Sequence, residues 1–140
     1  MTTDQYTPSN EFAINRGTWR HLHWGRVMLG GICAELAVFA IVFPVLHFFG
    51  QTAFLASILV ASAALPFLFA LWVDKRVESH FVLHGLMVGV VAALMYLIVA
   101  WGQPEPFLYK VAHGLKLVGG LLGGVASAHW MTGNRVRTSV

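Results

Sequence analysis

The stretch VMLGGICAELAVFAIVFPVLHFF, residues 27–49, is the segment on which the predicted fold depends. It is almost wholly apolar, and it matches the roughly 20 residues that an α-helix needs to cross about 30 Å of hydrocarbon. Three more segments of this kind follow at residues 52–73, 81–101 and 107–130. Together they predict an all-α integral membrane protein that folds as a four-helix up-down-up-down bundle.

The composition and the short breaks between segments agree with this prediction. Charged residues make up 11% of the 140 residues, against about 25% in soluble domains. The breaks FGQT, DKRVESH and GQPEP are so short that neighbouring helices must run antiparallel. We therefore predict a membrane domain at 26–131, a polar N-terminal tail at 1–25 and a C-terminal tail at 132–140. Residues 15–25 could form a short interfacial helix or an unstructured basic flank.

Positive charges mark one side of the predicted bundle. They precede the first segment, lie in the second break and follow the fourth segment, as Arg16, Arg20, Arg26, Lys75, Arg76, Arg135 and Arg137. The two opposite breaks contain no lysine or arginine. The positive-inside rule then predicts that both termini are cytoplasmic. Because this placement accounts for the net charge of +3, we predict no nucleic-acid partner.

Glycines and other small residues at four-residue spacing, such as Gly30 with Ala34, predict faces where helices approach closely. The glycines predicted to pack in this way are Gly30, Gly85, Gly89, Gly119, Gly120, Gly123 and Gly124. Such faces serve either packing within the chain or contact with other membrane helices. The predicted partners are accordingly the lipid bilayer and other membrane helices, in a homo-oligomer or a larger complex.

Two charged residues lie inside the predicted spans. Glu35 falls near the middle of the first segment, and Lys116 lies well inside the fourth, one turn from His113. An ionised group is costly at this depth unless it is paired or hydrated. We predict a pair between Glu35 and Lys116, which serves either as a proton or ion relay or as a buried structural link.

Histidines offer a further interpretation, because two of them at similar depth could hold haem b. The candidates are His47 with His113, and His84 with His129. No other cofactor and no metal site is predicted. The sequence lacks the nucleophile, phosphate-binding and dinucleotide motifs of enzymes, so we predict that the chain is not an enzyme.

Three short motifs carry a resemblance to known proteins. HWGRVMLGG (23–31), HGLMVGVVAALMY (84–96) and HGLKLVGGLLGG (113–124) resemble stretches of small, uncharacterised four-helix bacterial inner-membrane proteins. The resemblance implies a multi-pass protein of the inner (plasma) membrane with the same architecture. It assigns no catalytic or binding residue.

Three functions fit these observations. The first, favoured by small size and short loops, is a non-enzymatic small subunit or interaction partner in a membrane assembly. The second is a homo-oligomeric transporter or channel that uses Glu35 and Lys116. The third is a haem b membrane anchor for electron transfer.

Overall fold

The computed structural model describes residues 23–77 and 80–137. In these ranges the chain forms three α-helices, which are α1 (Trp24–Asp74), α2 (Phe81–Val99) and α3 (Phe107–Arg137). Each helix packs against both of the others. Most of the predicted interfacial helix lies outside the described residues. At the other terminus, α3 continues through 132–137, which belong to the predicted C-terminal tail.

The predicted four-helix up-down-up-down bundle is wrong, because the first two predicted segments belong to one helical element of 51 residues. Only Gly50 leaves the helical conformation, with φ 78° and ψ −175°. These angles are essentially restricted to glycine, which has no Cβ to clash with the backbone. The helix therefore resumes at the next residue, and the predicted loop is a single non-helical residue.

α1 folds back on itself at Gly50. Its N-terminal arm (24–49) and its C-terminal arm (51–74) share one apolar cluster, in which Val38 and Val42 pack with Ile58 and Ala61. A straight helix of 51 residues would extend about 77 Å and could not make these contacts. Each arm is about 36–39 Å long, which is enough to cross about 30 Å of hydrocarbon.

The two ends of the bundle differ in composition. We call the end with Lys75 and Arg76 the Lys75 end, and the end with Gly50 and the 100–106 connection the Gly50 end. At the Lys75 end, the Arg26 side chain donates a hydrogen bond to the Arg76 carbonyl. Next to this end lies a core of five valines, namely Val27, Val73, Val77, Val88 and Val91.

Glycines on α3 bring its backbone against that of α2. A Cβ atom added to Gly124 would lie 2.6 Å from the carbonyl oxygen of Phe81. Gly120 and Gly85 face each other, since a Cβ on either would collide with the carbonyl oxygen of the other. Neither position can hold a larger residue without separating the two helices.

The other glycine face of α3 packs against the C-terminal arm of α1. A Cβ on Gly123 would lie 2.6 Å from the carbonyl oxygen of Phe67, and one on Gly119 would collide with that of Ala63. Both glycine faces of α3 are therefore occupied by contacts within the chain.

The outer surface of the helices is apolar. All three are long and hydrophobic enough to cross a membrane, and they expose large side chains such as Phe48 (75%), Ile98 (69%) and Phe107 (78%). An apolar surface of this extent is unfavourable in water and favourable in lipid. The chain is a multi-pass membrane protein.

We expect Gly50→Ala to destabilise the protein by about 1–3 kcal/mol, because alanine is strained at this backbone conformation. The matched control is Gly114→Ala, at a helical position where an added Cβ meets no atom within 4 Å. Alanine should be neutral or stabilising by about 1 kcal/mol there. Unfolding in mixed detergent micelles measures both. Equal stability of the two variants would contradict the special role of Gly50.

Candidate functional site

Glu35 and Lys116 form an ion pair in the interior of the helices. The Lys116 ammonium donates a hydrogen bond of 2.8 Å to Oε1 of Glu35. It also lies 2.7 Å from Oε2, where the contact is ionic and lacks hydrogen-bond geometry. Glu35 is completely buried, and Lys116 is 2% exposed. The structure thus brings together the two charged residues that the sequence placed inside the membrane.

The close approach of the helices positions both partners. Glu35 lies on the buried face of the N-terminal arm of α1, next to Ala34 and one turn before Val38. On α3, the backbone at Lys116 lies against Gly89 of α2, where a Cβ would be 2.5 Å from the Lys116 carbonyl oxygen. Because Gly89 has no side chain, the backbone of α3 at Lys116 can lie directly against α2.

Tyr96 of α2 forms one wall beside the pair. The Lys116 ammonium lies 4.9 Å from the centre of the Tyr96 ring, within the range of a cation–π interaction. The Tyr96 ring also stacks with Tyr109, at 6.0 Å between centres, and with Phe39, at 6.4 Å. The lysine charge is therefore balanced by a carboxylate on one side and an aromatic face on the other.

His113 continues this polar group toward the Gly50 end. Its ring lies 4.6 Å from that of Tyr96, and its Nε2 atom is 3.6 Å from a carboxylate oxygen of Glu105. That distance is too long for a direct hydrogen bond. Glu105 belongs to the connection before α3, and its side chain is 19% exposed. A series of polar side chains thus leads from the surface at Glu105 to the buried pair.

The pair lines a cavity of about 180 Å³ between the helices. Most of the wall is aliphatic or aromatic, and polar groups are contributed by Glu35, Lys116, His113 and Ser62. The cavity extends from the level of Glu35 toward the Gly50 end. On the other side of the pair, the five-valine core fills the space between the helices.

This arrangement has a large electrostatic consequence. A buried ion pair offsets the cost of removing two charges from water, but either partner alone would be an uncompensated charge. Oε2 of Glu35 accepts no hydrogen bond from the described residues, and neither ring nitrogen of His113 has a hydrogen-bond partner among them. These groups face a cavity large enough for water or a small solute.

The four histidines considered as haem ligands have separate environments. His47 and His129 are exposed, and the ring of His47 packs against Phe48. His84 is fully buried; its Nε2 accepts the His23 backbone N–H at 3.3 Å, and its Nδ1 lies 2.9 Å from the His80 carbonyl. Among the described residues, the contacts of these histidines do not join either proposed ligand pair.

The structure also places a second buried carboxylate that the sequence analysis assigned to a loop. α1 extends to Asp74, which is completely buried. It lies against Ser127 of α3, yet neither of its oxygens has a partner of normal hydrogen-bond geometry in the described part of the chain. The neighbouring residues Lys75 and Arg76 made this position look like part of a solvated connection.

The aromatic and polar walls of the cavity were not predicted either. Tyr96 and Tyr109 carry no sequence signal beyond a position near the predicted membrane interface, and Ser62 is one of several small residues in its segment. Their common position follows only from the folded arrangement of α1, α2 and α3. Glu105 had a detectable signal, as the only acidic residue between the last two predicted segments.

We expect Glu35→Met and Lys116→Met each to lower the free energy of unfolding by about 3–5 kcal/mol, because each leaves one charge buried without its partner. The double variant should regain most of this loss, since an apolar replacement of the whole pair is often neutral. A double-mutant cycle in mixed detergent micelles measures the coupling. Additive losses in the double variant would contradict a direct interaction.

No protein-family model matches this chain, and neither a curated protein nor a solved structure shows significant similarity to it.

Proposed function

We propose that this chain is a membrane transport protein that couples the movement of a small solute to protons. Glu35 and Lys116 are the coupling pair, and His113 with Glu105 forms the route for protons from the Gly50 end. The observation that carries this proposal is that the pair lines a cavity of about 180 Å³. A pair that served only to link helices would gain most by being packed on all sides.

The size of the cavity limits the solute. An apolar cavity of about 150 Å³ in another protein holds a single benzene ring, and this one is of similar volume. The cavity lies within one chain, so the proposed pathway does not require a second copy. It is closed toward the Lys75 end by the five-valine core, which would have to separate for the solute to pass.

The alternative of a small subunit in a larger membrane assembly rests on small size, short loops and the glycine faces. Gly119, Gly120, Gly123 and Gly124 all pack against α1 or α2 of the same chain. These glycines therefore provide no argument for a partner helix. A haem b anchor is likewise less well supported, because both ring nitrogens of His84 contact backbone groups.

For location, we propose the bacterial inner membrane with the Lys75 end in the cytoplasm. Arg26, Lys75 and Arg76 lie together at that end, as the positive-inside rule requires of the cytoplasmic side. The Gly50 end, toward which the cavity extends, then faces the opposite side of the membrane. Protons would enter the site from there.

Cysteine accessibility tests this function. In a Cys33→Ala background, Ser62→Cys places a thiol in the cavity wall, where Ser62 is 1% exposed. The matched control is Leu36→Cys on the outer surface, 54% exposed toward lipid. A transport site must be open to each side of the membrane in turn. We therefore expect a small membrane-impermeant thiol reagent to label Ser62→Cys from either face of sealed vesicles, and to leave Leu36→Cys unlabelled.

Labelling of Ser62→Cys from one face alone would show that the cavity is a pocket open to one side. If neither face gave labelling, Glu35 and Lys116 would be a pair that only links the helices. Either outcome would contradict transport. Right-side-out and inside-out vesicles, prepared from the same membranes, expose the two faces separately, so labelling from each face can be compared.

A further inference from the structure

The wall of the cavity is rich in aromatic rings. Phe39, Phe43, Phe54, Tyr96 and Tyr109 all line it. The face of an aromatic ring carries partial negative charge and attracts cations, most strongly where water is excluded. Together with the Glu35 carboxylate, this lining favours a positively charged solute over a neutral or anionic one.

The ammonium group of Lys116 is a cation that already lies between the Glu35 carboxylate and an aromatic ring of the cavity wall. The Lys116 ammonium lies 4.9 Å from the Tyr96 ring centre and within 2.8 Å of the Glu35 carboxylate. These are the two kinds of contact that an organic cation would make. Lys116 therefore acts as a tethered cation that neutralises Glu35 when the cavity holds no solute.

One carboxylate oxygen of the pair is held by charge alone and not by a hydrogen bond. Oε2 of Glu35 is inaccessible to bulk solvent and accepts no hydrogen bond from the described residues, although Glu35 lines the cavity. Its present partner is the Lys116 ammonium, which lies 2.7 Å away in an ionic contact. A positively charged solute in the cavity would take the place of the ammonium beside this oxygen and donate to it or pair with it.

Charge balance determines what must happen to Lys116. A second cation beside a neutral pair would leave one excess positive charge at a depth where such charge is costly. The groups that face Lys116 are Glu35 from α1 and Tyr96 from α2. His113 of α3 and Glu105 of the connection before α3 also interact with its charge. Of these, only Glu35 is a buried carboxylate. Neutrality is restored when the Lys116 ammonium releases one proton, which leaves past His113 and Glu105.

We propose that the cavity binds an organic cation of about the size of one aromatic ring, held by Glu35 and the surrounding rings, in exchange for one proton from Lys116. This inference rests on the proposed transport function and names its substrate class. In the exchange no covalent bond other than the N–H bond of Lys116 breaks. The Glu35 carboxylate changes its partner from the ammonium to the solute.

The test uses the purified full-length protein in lipid nanodiscs and two probes of the same shape. Phenyltrimethylammonium is a permanent cation, and tert-butylbenzene is its neutral counterpart. Calorimetric titration in buffers of different ionisation enthalpy counts the protons released. We expect the cation alone to bind, with release of one proton, and its affinity to rise about tenfold per pH unit while Lys116 is protonated.

Variants identify the site. Glu35→Gln should abolish binding of the cation. Because that variant also disturbs the ion pair, Phe54→Leu offers a milder change: the loss of one ring should weaken binding about 2- to 30-fold. Its control is Phe107→Leu, at a position that is 78% exposed on the outer surface, which should leave the affinity unchanged.

Three outcomes would overturn this inference: no binding of the cation, equal binding of tert-butylbenzene, or cation binding without proton release. The transport function itself is judged separately by the labelling of Ser62→Cys from both faces. If that labelling occurs and the cation does not bind, transport stands and the organic-cation substrate is wrong.

Discussion

The ion pair between Glu35 and Lys116 is the constraint on which the rest of the structure depends. Neither charge can remain at this depth without the other, so α1 and α3 must meet where the two side chains are in contact. The glycine contacts of α3 with α1 and α2 then bring the backbones close from Lys116 toward the Lys75 end. Toward the Gly50 end, aromatic side chains and not glycines lie between the helices, and the cavity is found there.

The two ends of the bundle have different roles because they are built from different residues. Small and β-branched side chains at the Lys75 end pack into a closed core. Toward the Gly50 end, aromatic rings line a space of about 180 Å³ beside the charged pair. The asymmetry of the cavity therefore follows from where glycine, valine and aromatic residues occur along the three helices.

Much of this molecule could be predicted from its sequence, and the failures have physical causes. Long apolar segments indicated membrane helices, and the cost of burying charge singled out Glu35 and Lys116. The helix count was wrong because Gly50 alone reverses the chain. The cavity, with Tyr96, Tyr109 and Ser62 in its wall, arises from contacts between distant segments and has no local pattern.

Solid-state NMR of the protein in lipid bilayers tests the central claim most directly, namely that an ionised pair of Glu35 and Lys116 meets water inside the membrane. With ¹³C-labelled glutamate and ¹⁵N-labelled lysine, the carboxyl carbon of Glu35 and the Nζ atom of Lys116 should show strong dipolar coupling. Both signals should also receive magnetisation from water protons. A coupled pair without any transfer from water, or no coupling at all, would contradict the account.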